Sequence, residues 1–150
     1  FSREEGARFI EEYFSKYPRI QEYLENVKAK TRETQYVETV MGRRRYLPDI
    51  NASNFNVRGQ AERMAINMPI QGTAADIMKL AMIRVHRRLE EEQLQAKMLL
   101  QVHDELVFEV PQEELDAIKK VVFDEMPAAL ELDVTLKVDI KWGPTWGDME

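Results

Sequence analysis

Two adjacent carboxylates, Asp104 and Glu105, follow a histidine and lie between two short apolar stretches of this 150-residue chain. The stretches 97–103 and 106–110 are typical of strands, which predicts a tight hairpin with Asp104 and Glu105 as its two-residue loop. Such loops favour Asn-Gly, because both positions need positive φ, and an Asp-Glu pair meets that need poorly. Acids at this tip therefore indicate a function that tolerates strain.

The chemistry that these carboxylates suit is the binding of a hard cation. Mg²⁺ takes oxygen ligands and usually one or two carboxylates together with substrate phosphates. If the backbone stays extended, successive side chains point to opposite faces, so only one acid enters the site. We expect that acid to be Asp104. The alternative is a turn whose two acids do no more than face solvent.

A second set of polar side chains, here called the polar row, consists of Arg63, Asn67 and Gln71. Their spacing of four and four predicts a single line about 12 Å long on one helix. All three side chains can donate hydrogen bonds, which suits the acceptor-rich minor groove of a nucleic acid. An ordinary solvated helix face is the other interpretation.

A third feature is a run of three arginines, Arg43 to Arg45, directly after Gly42. This arginine hairpin is suited to phosphate contacts, which position a nucleic acid without reading its sequence. The charge pattern agrees: residues 28–88 carry 12 basic against 5 acidic side chains, whereas residues 89–150 carry 5 against 16. Charge alone also fits two solvated faces.

The elements that position these residues follow from local patterns. A first helix is predicted from the capping box at Ser2 to Tyr17, and a second begins at Pro18. A long helix is predicted over residues 55–94, with a kink or break near Pro69, and a further helix over 112–129. Strands are predicted from about Thr34, after Gly42, on both sides of Asp104-Glu105 and over 134–140. The fold class is α+β, a small antiparallel sheet covered by helices.

Composition removes several classes of protein. There is no cysteine, which excludes a disulfide scaffold, a zinc-thiolate site and a cysteine nucleophile. No stretch approaches the roughly 18 consecutive apolar residues of a membrane span. Because the chain opens at Phe1 without a methionine, we expect it to be part of a longer protein.

Three long motifs carry a resemblance to a known family. The motifs are GRRRYLPDI at 42–50, AERMAINMPIQGTAAD at 61–76 and QVHDELVFEV at 101–110. In residue type, order and spacing they closely resemble the C-terminal part of family A DNA polymerases, the DNA polymerase I type. The similarity extends over essentially the whole chain.

The resemblance implies roles for the residues already singled out. Asp104 would be a catalytic aspartate and Mg²⁺ ligand of a two-metal nucleotidyl transferase site, with Glu105 beside it in a lesser role. His103 would approach the primer terminus. The polar row would contact the minor groove of primer-template DNA, and Arg43, Arg44 and Arg45 would bind DNA.

The resemblance also implies the setting. Residues 1–50 would belong to a helical fingers segment and 51–150 to the C-terminal part of the palm. Expected partners are primer-template DNA, deoxynucleoside triphosphates and the rest of the parent polymerase, in the cytoplasm, at the nucleoid if bacterial, and without a membrane. The family pattern also needs an upstream aspartate and a nucleotide-binding helix, so we expect the isolated chain to have little polymerase activity. A nucleic-acid-binding piece with a vestigial metal site is the alternative.

Overall fold

The computed structural model describes residues 2–149 and divides the chain into two compact units, one ending at Thr73 and the other beginning at Ala74. Within the described residues there are four α-helices and two separate two-stranded antiparallel sheets. The predicted α+β class is confirmed.

The first two helices begin where the local signals predict. Helix α1 spans Arg3–Lys16, and its capping box is complete: the Ser2 hydroxyl accepts from the Glu5 amide at 3.2 Å and the Ser2 amide donates to the Glu5 carboxylate at 2.7 Å. Helix α2 spans Pro18–Thr34, with its proline in the first turn, where no amide donor is needed.

A short hairpin follows α2. Strand β1 is Tyr36–Glu38 and strand β2 is Arg44–Tyr46, paired antiparallel with Val37 opposite Arg45. Gly42, at φ 80°, allows the connecting turn, and a 3-10 helix at Pro48–Asn51 ends the segment. Both strands are shorter than the sequence pattern predicts.

Helix α3 spans Phe55–Glu91 as one continuous helix, so of the kink or break predicted near Pro69 the break does not occur. Proline removes one backbone hydrogen bond, which usually costs about 3 kcal/mol in a helix interior. Ala61 and Ala65, on the turns before the proline, are buried in a core with Val37, Leu47 and Ile50. We attribute the continuity of α3 to this packing, which holds the turns directly before Pro69 in place.

The second unit contains the hairpin of strands β3, Lys97–Val102, and β4, Glu105–Glu109. The ladder pairs Lys97 with Glu109 and Val102 with Glu105, and its register shifts between Met98 and Leu100. The two-residue loop is therefore His103-Asp104.

Helix α4 spans Leu115–Glu125, between 3-10 helices at Gln112–Glu114 and Pro127–Ala129, and a last 3-10 helix lies at Trp146–Asp148. The strand predicted over 134–140 is wrong, because no described segment forms a ladder with it. The alternation in this segment still agrees with its packing, because Val138 and Ile140, two residues apart, both pack on the core that contains Val85, Val121 and Val122.

None of the helices in residues 2–149 has the length and apolar character required to cross a membrane.

Candidate nucleic-acid interface

The polar row lies entirely on α3, and all three of its side chains are exposed. The eight residue steps from Arg63 to Gln71 correspond to a rise of about 12 Å along a straight helix. Buried Ala61 and Ala65 alternate with the row and fix this part of the helix to the core of the first unit. The row is thus a set of exposed polar side chains on a packed support.

An open cleft of about 570 Å³ borders the upstream end of the row. Arg63 lines it together with Lys28, Phe55 and Gly59. A β-carbon placed at Gly59 would come no closer than 3.8 Å to its nearest neighbour, which is the Arg63 guanidinium. Arg63 therefore borders the open cleft, and its guanidinium lies at ordinary contact distance from the position of a β-carbon on Gly59.

The arginine hairpin presents three exposed side chains in unequal surroundings. Arg44 donates to the Glu38 carboxylate at 3.2 Å, and its guanidinium carbon lies 4.4 Å from the centre of the Tyr36 ring. The hydrogen bond to Glu38 is the main cause, and the charge interaction with Tyr36 a further cause, of a raised pKa at Arg44. Part of its charge is already balanced by the protein.

Arg45 points away from that pair, because neighbouring residues of a strand face opposite sides. Its guanidinium contacts the Met64 sulfur at 3.6 Å, which brings the arginine hairpin against α3. Arg43 lies in the turn, where its amide donates to the Thr39 hydroxyl at 3.2 Å and its carbonyl accepts from the Thr39 amide at 2.9 Å. The polar row and the arginine hairpin consequently belong to one unit of the fold.

Two threonines that the sequence reasoning missed join these features. The Thr73 hydroxyl donates to the Pro69 carbonyl at 2.6 Å and accepts from the Val40 amide at 3.2 Å. Thr39 and Thr73 are both buried. A β-carbon at Gly72 would lie 2.6 Å from the Thr39 methyl carbon, so the turn after β1 packs directly on the backbone of α3. A threonine four residues after a proline was the only local signal of this junction.

The tip of the second hairpin differs from the prediction by one residue. The sequence indicated Asp104 and Glu105 as the loop, but Glu105 is the first residue of β4 and pairs with Val102. The positive φ falls on His103, at 55°, a position where hairpins of type II′ usually have glycine. The side-chain amide of Gln101 donates to the His103 carbonyl at 3.0 Å and supports this turn.

In the observed register of the β3–β4 hairpin, Asp104 and Glu105 have different backbone environments. Both carboxylates are exposed, but only Asp104 lies in the loop, whereas the backbone of Glu105 belongs to the ladder. Within residues 2–149 no three histidine, aspartate or glutamate side chains come together as a metal cage. One exposed carboxylate still fits a cation such as Mg²⁺, which completes its shell with waters and substrate phosphates.

Comparison with known proteins gives one consistent result. The family model described as DNA polymerase family A matches residues 1–148. The chain is 54% identical over 147 residues to DNA polymerase I of Bacillus caldotenax, covering 98% of this chain and 17% of that protein. It is also 54% identical over 145 residues to DNA polymerase I of Lactococcus lactis subsp. cremoris, covering 97% and 16%.

A solved structure is similar over the same extent. The POL domain of Pol1 from M. smegmatis, in complex with DNA primer-template and dNTP, has a TM-score of 0.94 and 44% identity. The match covers 97% of this chain and 26% of that chain. The chain thus spans about a sixth of the length of the curated relatives it matches.

Proposed function

Since this chain belongs to DNA polymerase family A, we propose that it forms part of a DNA-directed DNA polymerase, which transfers a nucleotide from a deoxynucleoside triphosphate to a primer 3′-hydroxyl. The observation that carries the proposal is the match over residues 1–148, which includes the acidic tip, the polar row and the arginine hairpin. The relatives are DNA polymerases I, and the similar solved structure holds DNA primer-template and dNTP.

Asp104 is the residue that would hold a divalent cation, Mg²⁺ in this proposal. Two such ions, when bound, favour ionisation of the attacking hydroxyl and neutralise charge on the leaving phosphates. The contribution of this chain is one carboxylate on a loop fixed by the β3–β4 ladder, with Glu105 beside it in a lesser role. His103 is the loop residue that would approach the primer terminus.

The polar row would contact the minor groove of the primer-template. Acceptors in that groove are similar for every base pair, so donors such as Arg63, Asn67 and Gln71 sense the shape of the pair and not its sequence. This property suits an enzyme that must accept any template. The open cleft beside Arg63 leaves room for a strand to reach the guanidinium.

The arginine hairpin would bind DNA phosphates. Arg45 is a stronger candidate than Arg44, because Arg44 already shares its charge with Glu38. A phosphate contact from Arg44 requires exchange of that ion pair, which is exposed and therefore contributes little to stability. Sequence-independent attraction of this kind positions the duplex for the minor-groove contacts.

The larger setting completes the proposal. Residues 1–50 would be part of the fingers and 51–150 the C-terminal part of the palm of a parent polymerase that replicates and repairs DNA in the cytoplasm. The isolated chain would have little activity, since the described residues contain no cluster of three or more acids and histidines that could hold the ions. Primer extension by the purified chain with Mg²⁺ and nucleotides tests this point, and robust template-dependent synthesis would contradict it.

The decisive experiment is Asp104→Asn in the full-length polymerase, which removes the charge and preserves the shape. We expect extension to be abolished while the dissociation constant for primer-template stays within about threefold, or 0.7 kcal/mol. Glu109→Gln is the matched control, because Glu109 is an exposed acid at the other end of the same hairpin. If Asp104→Asn leaves the rate within about tenfold, or 1.4 kcal/mol in barrier, the catalytic assignment is wrong.

A second candidate function is a nucleic-acid-binding piece whose metal site is vestigial. The observation in its favour is that no three acidic or histidine side chains come together as a metal site among the described residues. The same pair of variants separates the candidates, because under this second function Asp104→Asn and Glu109→Gln would behave alike.

A further inference from the structure

We infer that Thr73 is a positioning residue that holds the polar row and the arginine hairpin in one fixed geometry, so that minor-groove and phosphate contacts are made together. The inference rests on the proposed function and adds to it a residue that does not itself contact DNA.

The first step concerns the helix. Pro69 has no amide hydrogen, so the carbonyl of Ala65 lacks its usual partner within α3. The Thr73 hydroxyl donates to the Pro69 carbonyl at 2.6 Å, in the turn that carries Gln71. Threonine hydroxyls that bond four residues back often bend helices, so Thr73 helps to set the local course of the helix below Gln71.

The second step concerns the turn after β1. The same hydroxyl accepts from the Val40 amide at 3.2 Å, although Thr73 and Val40 are 33 residues apart. Thr39 in turn accepts from the Gly42 amide through its carbonyl at 2.9 Å and from the Arg43 amide through its hydroxyl at 3.2 Å. A continuous set of bonds therefore runs from the Pro69 carbonyl to the backbone of Arg43.

The third step concerns the space available. Thr39 is 4% exposed and Thr73 is 8% exposed, and the Thr39 methyl carbon lies 2.6 Å from the position of a β-carbon on Gly72. Water has little access to this junction, and the turn cannot move closer to the helix. Loss of the Thr73 hydroxyl would leave the Val40 amide without this acceptor and permit the turn to separate from α3.

The geometry assigns a functional consequence. Gln71 lies two residues before Thr73 on α3, and Arg43 lies in the turn that Thr73 ties down through Val40 and Thr39. If the turn separates from α3, the positions of Gln71 and Arg43 are no longer fixed relative to each other. Part of the free energy of DNA binding is then used to order the two side chains. A residue that only stabilised the fold would not change how these two contacts cooperate.

The test uses the full-length polymerase that contains this chain. Thr73→Val removes the hydroxyl at nearly constant volume, and Thr73→Ser keeps the hydroxyl as the rescue variant. The readouts are the dissociation constant for primer-template and the ratio of extension rates from matched and mismatched primer ends, measured well below the melting temperature of each variant. If Thr73→Val does not fold, Thr73→Ala removes the same hydroxyl and has the same expected result.

We expect Thr73→Val to raise the dissociation constant about three- to tenfold, as for the loss of one or two hydrogen bonds, and to lower the matched-to-mismatched ratio. Thr73→Ser should stay within about twofold of the parent. In a background that already carries Gln71→Ala and Arg43→Ala, Thr73→Val should change the dissociation constant by less than about twofold, because its targets are absent.

Two results would overturn the inference while the proposed function stands. One is an unchanged dissociation constant in Thr73→Val when Gln71→Ala and Arg43→Ala each weaken binding. The other is a Thr73→Val effect of the same size with and without those two side chains. If neither Gln71→Ala nor Arg43→Ala weakens DNA binding, the proposed DNA contacts fail, and the inference fails with them.

Discussion

Substitution of Gly72 by alanine probes the junction between the turn after β1 and helix α3. An alanine in a helix interior normally stabilises a protein by about 0.5–1 kcal/mol relative to glycine, because glycine loses more backbone freedom on folding. At Gly72 the new β-carbon would lie 2.6 Å from the Thr39 methyl carbon, a distance at which an atom must move. Overpacking of this kind costs about 1–3 kcal/mol.

The structure also indicates which neighbour of Gly72 cannot easily move away from a new β-carbon. Rotation of the Thr39 side chain would break the hydrogen bond that its hydroxyl accepts from the Arg43 amide at 3.2 Å. The Met68 side chain is a softer neighbour, with its terminal carbon at 3.4 Å from the same position. We therefore expect Gly72→Ala to change the free energy of unfolding by between about 0 and −2.5 kcal/mol, a net loss over nearly the whole range.

Gly59→Ala is the matched control, because Gly59 lies on the same helix and its β-carbon would meet nothing closer than 3.8 Å. This control should gain the full helix-propensity term, about 0.5–1 kcal/mol. Urea unfolding followed by circular dichroism measures both variants. The difference between them should be about 1–3 kcal/mol, and Thr39→Ser, which removes the methyl group and keeps the hydroxyl, should restore most of it. If Gly72→Ala is as stable as Gly59→Ala, the close approach is wrong.

Three further expectations follow from single residues. Arg63→Ala in the full polymerase should weaken primer-template binding by a similar factor on different DNA sequences. The control is Arg87→Ala, at an exposed arginine of the same helix outside the polar row, which should leave binding unchanged. A strong dependence of the Arg63→Ala effect on DNA sequence would contradict minor-groove sensing. The Ser2 amide and, to a lesser degree, the Ser2 hydroxyl hold the pKa of Glu5 below its ordinary value of 4.5. The contribution of the capping box to the stability of α1 is therefore complete above that pH and is lost as the pH falls through the lowered pKa of Glu5. An NMR titration that gives a Glu5 pKa of 4.5 or more would refute this expectation. His103→Gly should relieve the strain of the positive φ and raise the free energy of unfolding by up to about 1 kcal/mol. The same substitution should slow primer extension. A lower free energy of unfolding in urea would count against strain at that residue.

Local signals predicted the helices well because each is encoded within a few residues. The capping box at Ser2 and the proline at position 18 gave the starts of α1 and α2 correctly, since capping bonds join residues three apart. The polar row was predicted for a related reason: a spacing of four is a property of one helix and needs no partner. The structure confirms that all three residues lie on one helix, α3.

Pairings between distant segments were predicted less well. The strand over 134–140 has the right alternation, but alternation specifies faces and does not provide a neighbouring strand to bond with. The Thr73–Val40 bond joins residues 33 apart, and nothing near Thr73 in the sequence indicates Val40 as its partner. Continuity of α3 through Pro69 also depends on tertiary packing, which outweighs a local signal for interruption.

The one-residue error at the hairpin tip changes the reason for choosing Asp104 and strengthens the choice. The sequence argument placed both acids in the loop and separated them by strand alternation. In the structure Glu105 pairs with Val102, so its backbone is held by the ladder, while Asp104 lies in the loop beside the strained His103. The backbone that carries the Asp104 carboxylate can adjust toward a cation without breaking a ladder bond, whereas the Cα–Cβ direction of Glu105 is set by its pairing in β4. The expected difference is that Asp104→Asn abolishes extension while Glu105→Gln only reduces it, and equal losses in single-turnover rate would show that the register does not separate their roles.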